Sequence, residues 1–202
     1  DSPRRDPARN RLSERLVRII IAVLATTRRS RVKTLRTCIR DIPDFPIPGV
    51  MFKDLTPVMA DAGLLRAVTN DLAAPFRTAG ITAVAGMEAR GFIFGSLVAG
   101  ALNTGFVPLR KPGKLPYQTY RAGYTLEYGE ASLEMHVDAL SDSDVVLLVD
   151  DVIATGGTAA ASCELLARSG ARIAGCAFVI ELDFLAGRDR LGAHLVHSLV
   201  HY

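Results

Sequence analysis

The sequence predicts an α/β fold in which a mostly parallel central sheet is flanked by helices. The first observation is a set of short apolar runs, ITAVAG (81–86), VVLLVD (145–150) and ARIAGCAFVIEL (171–182), that suit strands covered on both faces. The second is the amphipathic periodicity of the segments between them. Strands alternating with helices of roughly ten to fifteen residues need crossover connections, and these make a sheet parallel. The third is size: 202 residues with 49% hydrophobic content can bury one sizeable core.

The net charge of +3 hides an asymmetry. Residues 1–36 carry eleven Arg or Lys against three acids, which leaves thirteen bases and eighteen acids in 37–202. A basic head can contact nucleic acid or membrane, can be a targeting peptide, or can be a solvated tail. Its basic residues are not interleaved with aromatics and the body has no positive excess, so the tail or targeting readings are favoured and no nucleic-acid partner is expected. The apolar patch Leu16–Ala25 is interrupted by Arg18 and is shorter than the ~20 residues a bilayer span needs, so no membrane partner is expected either. Cys38, Cys163 and Cys176 are odd in number, widely spaced and lack a C-x-x-C pair. They fit a reducing, cytoplasmic setting, with no disulfide framework or zinc site.

Taken in order, IRDIPDFPIPGVMFKDLTPVM (39–59) holds four prolines, which forbid a continuous helix, and is expected to form a fixed, extended hood. Leu64, Leu65, Val68, Leu72 and Phe76 predict a helix over 61–79, closed by Gly80. A strand over 81–86, a helix over 91–103 and a strand over 104–111 follow. Residues 112–130 have no sustained periodicity and read as a long mobile loop or loose hairpin, and loops of that length are usually functional. ASLEMHVDAL (131–140) alternates as a half-buried strand does. After VVLLVD, a helix is expected from near Gly157, then a strand over 171–182 and another within HLVHSLVHY (194–202). His194, His197 and His201 in that last segment are read as strand residues and not as a metal site.

The chemistry concentrates in VVLLVDDVIATGGT. Asp150 and Asp151 end a run suited to a buried central strand, so they must face something polar. Ala154, Thr155, Gly156, Gly157 and Thr158 then form a turn that can bend tightly and open a helix. Backbone N–H groups at such a turn, helped by the helix dipole and the two threonine hydroxyls, suit a phosphate. Carboxylates beside a phosphate cradle imply a sugar phosphate whose vicinal hydroxyls donate to Asp150 and Asp151.

This stretch resembles the phosphoribosyl-pyrophosphate (PRPP) motif of the type I phosphoribosyltransferases. DFPIPGVMFKDLTPV, MEARGFIFG, VPLRKPGKLP, YTLEYG, LEMHVDAL and FVIEL are similar to further blocks of that family, and specifically to its adenine-using branch. The resemblance covers Leu35 to Tyr202, so 35–202 is expected to be the enzyme domain, with the family's hood and flexible catalytic loop, and 1–34 an extension of unassigned role. It implies transfer of 5-phosphoribose from PRPP to adenine through an oxocarbenium-like transition state, giving AMP and pyrophosphate. It also implies a homodimer and magnesium, the metal held mainly by PRPP oxygens and water, with Asp151 as a protein ligand.

Roles follow residue by residue from the resemblance. Arg90 and Lys111 are expected at the pyrophosphate, with Arg110 and Lys114 as further cations and a strained Glu88–Ala89 peptide beside them. Glu127 is expected to handle the purine proton and Tyr128 to help close the site. Phe52 and Leu182 would cover the two faces of adenine, while main-chain groups of Met51 and Lys53 read its edge. The family often has Arg where this chain has Lys53.

Overall fold

A computed structural model describes residues 34–126 and 129–202, with backbone alone for 124–126, 129 and 130. The chain divides into two compact units between Asp61 and Ala62.

In the first unit, β1 (Arg40–Ile42) pairs antiparallel with β2 (Phe52–Asp54). The proline-rich hood is therefore a hairpin and not simply extended chain. Its connecting loop is folded on itself: the Gly49 amide donates to Asp44 Oδ1 at 2.7 Å and the Phe45 amide to the Val50 carbonyl at 3.2 Å. The Phe45–Pro46 peptide is cis. A short helix, α1 (Thr56–Ala60), begins where Asp54 Oδ1 accepts from the Thr56 amide at 2.9 Å.

The second unit holds the parallel sheet. Helix α2 (Ala62–Ala73) stops earlier than periodicity predicts, because Pro75 lacks an N–H and crowds the preceding turn. Residues Ala74–Phe76 form a 3₁₀ turn instead. Next come β3 (Ala83–Met87), α3 (Arg90–Leu102) and β4 (Gly105–Leu109). After the antiparallel pair β5 (Thr119–Leu126) and β6 (Gly129–His136), the chain continues as β7 (Val145–Ile153), α4 (Gly157–Arg168), β8 (Arg172–Glu181) and β9 (Val196–His201). Two 3₁₀ turns, Asp183–Leu185 and Gly187–Leu191, separate β8 from β9.

The central sheet has five strands in the order β4-β3-β7-β8-β9, all parallel. The strand expected over 131–140 is not among them. It ends at His136 and pairs with β5 in a separate two-stranded ribbon, so the segment 112–130 is largely hairpin. The reason is visible in its pattern: alternation covers one face only, whereas the central strands are apolar throughout. The ribbon turns Ala122, Leu133 and Met135 into the core and joins the sheet's edge through paired backbone bonds between Arg110 and Glu134, at 2.9 and 2.7 Å.

Strand order reverses between β3 and β7, since β3 leads by α3 to β4 on one side and β7 leads by α4 to β8 on the other. In an open parallel sheet, ligands bind beyond the carboxyl ends of the strands at such a reversal. Val146, Leu147, Leu148, Val149 and Phe178 are all 0% exposed beneath it. Phe178→Ala should therefore cost about 3–5 kcal/mol in a chemical-denaturation measurement, the usual loss for emptying a fully packed aromatic site.

Candidate active site

Two carboxylates stand at the switch point. Asp150 and Asp151 lie within β7, which runs on to Ile153 before the chain turns at Ala154–Gly156. Gly156 takes φ +78°, which reverses the backbone just before α4 begins at Gly157. Asp150, Thr155, Gly156, Gly157 and Thr158 line one cleft, joined by Met87 from the end of β3. Six of the residues expected to bind PRPP are thus brought together, since Ala154 lines the same cleft.

The two acids have different surroundings. Asp150 Oδ1 accepts from the Asp151 amide at 2.8 Å and abuts the first turn of α3, where a Cβ on Gly91 would lie only 2.6 Å from it. Gly91 is the residue that lets the carboxylate approach. Burial pushes the Asp150 carboxyl well above the usual range, and the charge of Asp151 pushes it the same way. Asp151 is buried, and its Oδ2 accepts from Arg90 Nε. Arg90 remains nearly half exposed while it neutralises that acid.

Between β3 and α3, the Glu88–Ala89 peptide is cis, at the position where an unusual bond is expected. Glu88 is a residue that sequence reasoning did not assign. Its buried carboxylate accepts from Arg110 Nε and from Lys114 Nζ, each at 3.1 Å. Burial by itself would raise this carboxyl, but hydrogen bonds from Lys114, Arg110 and the Lys111 amide outweigh it and hold the group below its usual range. The Gly113 amide adds a bond to Glu134 Oε2 at 3.0 Å, and Arg110 Nη1 donates to the Lys114 carbonyl at 3.0 Å. The turn 110–114 is therefore folded around an acid, with the exposed Lys111 side chain at its apex.

In the hairpin unit, Phe52 meets Phe45 edge-on with ring centroids 5.0 Å apart, and Met51 is half exposed. Lys53 Nζ pairs with Asp41 at 2.6 Å. Leu182 follows β8, partly exposed, with its amide bonded to the Ile153 carbonyl at 3.0 Å. Glu127 and Tyr128 lie outside the described residues. His197 contacts the Asp71 carbonyl at 3.0 Å and His201 contacts Asp183 at 2.9 Å.

The phosphoribosyl transferase domain model matches residues 64–194. An adenine phosphoribosyltransferase of Nitrosococcus oceani is 62% identical over 171 residues, 85% of this chain and all of that relative. The chain belongs to the adenine phosphoribosyltransferases. Solved structures agree. The adenine phosphoribosyltransferase of Rhodothermus marinus superposes with TM-score 0.82 at 52% identity, covering 86% of this chain and 99% of its own. That of Saccharomyces cerevisiae, complexed with an imino-altritol bisphosphate and adenine, gives TM-score 0.80 at 40% identity, covering 84% and 98%.

For a phosphoribosyltransferase, the grouping of Arg90 with Asp151 joins the expected leaving-group cation to the expected ribose acid. Neither Gly91 nor Glu88 carries a sequence signal of its own, although both lie in the MEARGF block.

Glu88 gives a pH-dependent test. A carboxyl held below its ordinary value contributes stability above its unfolded pKa, near 4.3, and that contribution is lost as pH falls through the folded value. Glu88→Gln should cost about 1 kcal/mol at pH 7.5, and the difference should shrink as pH falls below about 4.3, as read from urea midpoints of both proteins.

Proposed function

We propose that this adenine phosphoribosyltransferase joins adenine to the 5-phosphoribosyl group of PRPP, giving AMP and pyrophosphate in purine salvage. The observation that carries the reading is the cleft at the strand-order reversal, which Asp150 lines together with the Thr155–Gly157 turn, with Asp151 next to it in β7. The turn's amides and the Thr155 and Thr158 hydroxyls hold the 5′-phosphate, and the two carboxylates accept from the ribose hydroxyls.

Breaking the anomeric bond sends negative charge to pyrophosphate and positive charge to the ring, so the protein's task is positioning and electrostatic stabilisation. Arg90 and Lys111 face the leaving group, and Arg110 and Lys114 supply further positive charge. Asp150 and Asp151 disperse charge on the sugar. Magnesium would be held chiefly by substrate oxygens and water, and Asp151, whose Oδ2 accepts from Arg90, would offer its other carboxylate oxygen as the protein ligand. When bound, magnesium neutralises charge on pyrophosphate. Glu127 takes the proton lost by the purine, and Tyr128 helps shield the site from water.

On the family resemblance, Phe52 is assigned to stacking on adenine and Leu182 to covering a ring face, and main-chain groups at Met51 and Lys53 select the amino edge. A carbonyl accepting from that amino group rejects a 6-oxo purine by being left unpaired. Where the family often has Arg, the Lys53 side chain here pairs with Asp41, and a reader made of main-chain groups does not depend on that side chain.

Residues 35–202 form the enzyme domain and 1–34 an extension. No helix among the described residues is long and apolar enough to cross a membrane, and the family reading with three thiols supports a cytoplasmic enzyme. Exposed Ile93 and Leu97 on α3 supply apolar surface for a second copy in a homodimer, which light scattering checks.

Pyrophosphate release that requires adenine, PRPP and magnesium tests the whole assignment; binding of PRPP without turnover would point to a regulator instead. Glu127→Gln should lower kcat by about 10²-fold or more with little change in PRPP affinity, the size expected for a proton-transfer group. The double variant Asp150→Asn, Asp151→Asn should weaken PRPP binding in calorimetry, and unchanged affinity would refute the ribose assignment.

A further inference from the structure

The second 3₁₀ turn, Gly187–Leu191, has no place in the chemistry described above, yet it is pressed against the phosphate turn. A Cβ on Gly187 would lie 2.1 Å from the Ala154 carbonyl oxygen and 2.8 Å from the Gly156 amide nitrogen. A Cβ on Gly156 would in turn lie 2.2 Å from the Gly187 carbonyl oxygen. Backbone therefore packs directly on backbone, and each glycine is required by the other's approach. The wall behind residues 154–156 is the peptide chain at 187.

What holds that wall is the next residue. Arg188 Nε donates to Glu181 Oε1 at 2.8 Å and Nη2 to Oε2 at 2.7 Å, a two-pronged contact with a buried carboxylate at the end of β8. Ser198 Oγ, on β9, donates to the same Oε2 at 2.6 Å, and Arg188 Nη1 reaches the Val196 carbonyl at 3.5 Å. Arg188 thus ties the 3₁₀ turn to two strands of the sheet, to β8 by both prongs and to β9 by Nη1. The side chain that precedes Leu182 is the anchor, and buried Leu191 pins the other end of the turn. Glu181, Asp183 and His201 lie close enough together to suggest a cation. Both Glu181 oxygens, however, are already engaged by Arg188 and Ser198, which makes the group an ion-pair anchor.

We propose that Arg188, through its two-pronged bond to Glu181, is a positioning residue that holds Gly187 against the Ala154–Gly156 turn and so sets the geometry with which this enzyme grips the 5′-phosphate. The inference rests on the phosphate-turn reading. Arg188 is not among the residues that line the cleft. Its effect is transmitted by backbone contact, because a turn whose amides must converge on one phosphate tolerates little displacement, and the backbone packed against that turn is the one that Arg188 anchors.

The test separates this end of PRPP from the other. Affinities of the full chain for ribose 5-phosphate and for pyrophosphate with magnesium are measured by calorimetry, for wild type and for Arg188→Gln, Arg188→Lys and Gly187→Ala. Ribose 5-phosphate affinity should fall about tenfold in Arg188→Gln and Gly187→Ala, within the range for groups coupled through a backbone shift, while pyrophosphate affinity stays within about twofold. Arg188→Lys, which keeps the charge and loses the fork, should fall between. Loss of thermal stability alone, with both affinities intact, or an equal loss of both, overturns the proposal. Should Arg188→Gln not fold, Arg188→Lys and Gly187→Ala carry the same comparison. A wild-type protein that fails to bind ribose 5-phosphate would sink the phosphate-turn reading itself, an outcome distinct from unchanged variants.

Discussion

Putting two carboxylates at the end of a strand that is buried on both faces is the constraint around which the rest of this structure is arranged. Charge is costly to bury unless it is paired or free to take up a proton, and the protein uses both routes side by side. Asp151 is matched by Arg90 from the start of α3, while Asp150 is left with a raised proton affinity beside it. The pair thus concentrates negative charge and hydrogen-bond acceptors at the strand end where the order reverses, which is the chemistry the proposed ribose contact calls for.

Neighbouring elements repeat the same logic with the sign reversed. Arg110 and Lys114 converge on one turn, and Glu88 compensates them from the loop that also carries Arg90. The cations expected at the leaving group are thus brought to one region by an acid from the strand end at which the order reverses. Farther along the same edge, Glu181 and Arg188 form a third pairing of a buried acid with a partly exposed cation, this time behind the phosphate turn. Each of the three joins a strand end to the loop of a different crossover, so the site's loops are braced by ion pairs rooted in the sheet. Cys163 and Cys176, with their sulfurs 3.8 Å apart, sit in the apolar layer beneath as free thiols.

Much of the fold was legible because its signals are local. The apolar runs 81–86, 145–150 and 171–182 each became a parallel strand, and the Gly157 helix start came where the turn chemistry placed it. The failures have equally local causes. Pro75 cut short a helix whose apolar spacing continued to Phe76, and the half-buried strand read over 131–140 stops at His136, in a flanking ribbon that its one-faced alternation suits. Glu88 escaped notice because an acid beside a family motif looks the same whether it faces water or two cations.

The order of strands and helices, the glycine turn after β7 and the kinds of side chain available to a sugar phosphate were determined by the sequence itself, since each depends on neighbours within a few residues. Tertiary structure alone decided which charges meet. Arg90 and Asp151 are 61 residues apart, Glu88 lies 22 from Arg110 and 26 from Lys114, and Gly187 packs on a turn that no motif connects to it. Such pairings are set by which strands become neighbours in the sheet, and that choice belongs to the packing of the whole core, where no short stretch of chain holds the information.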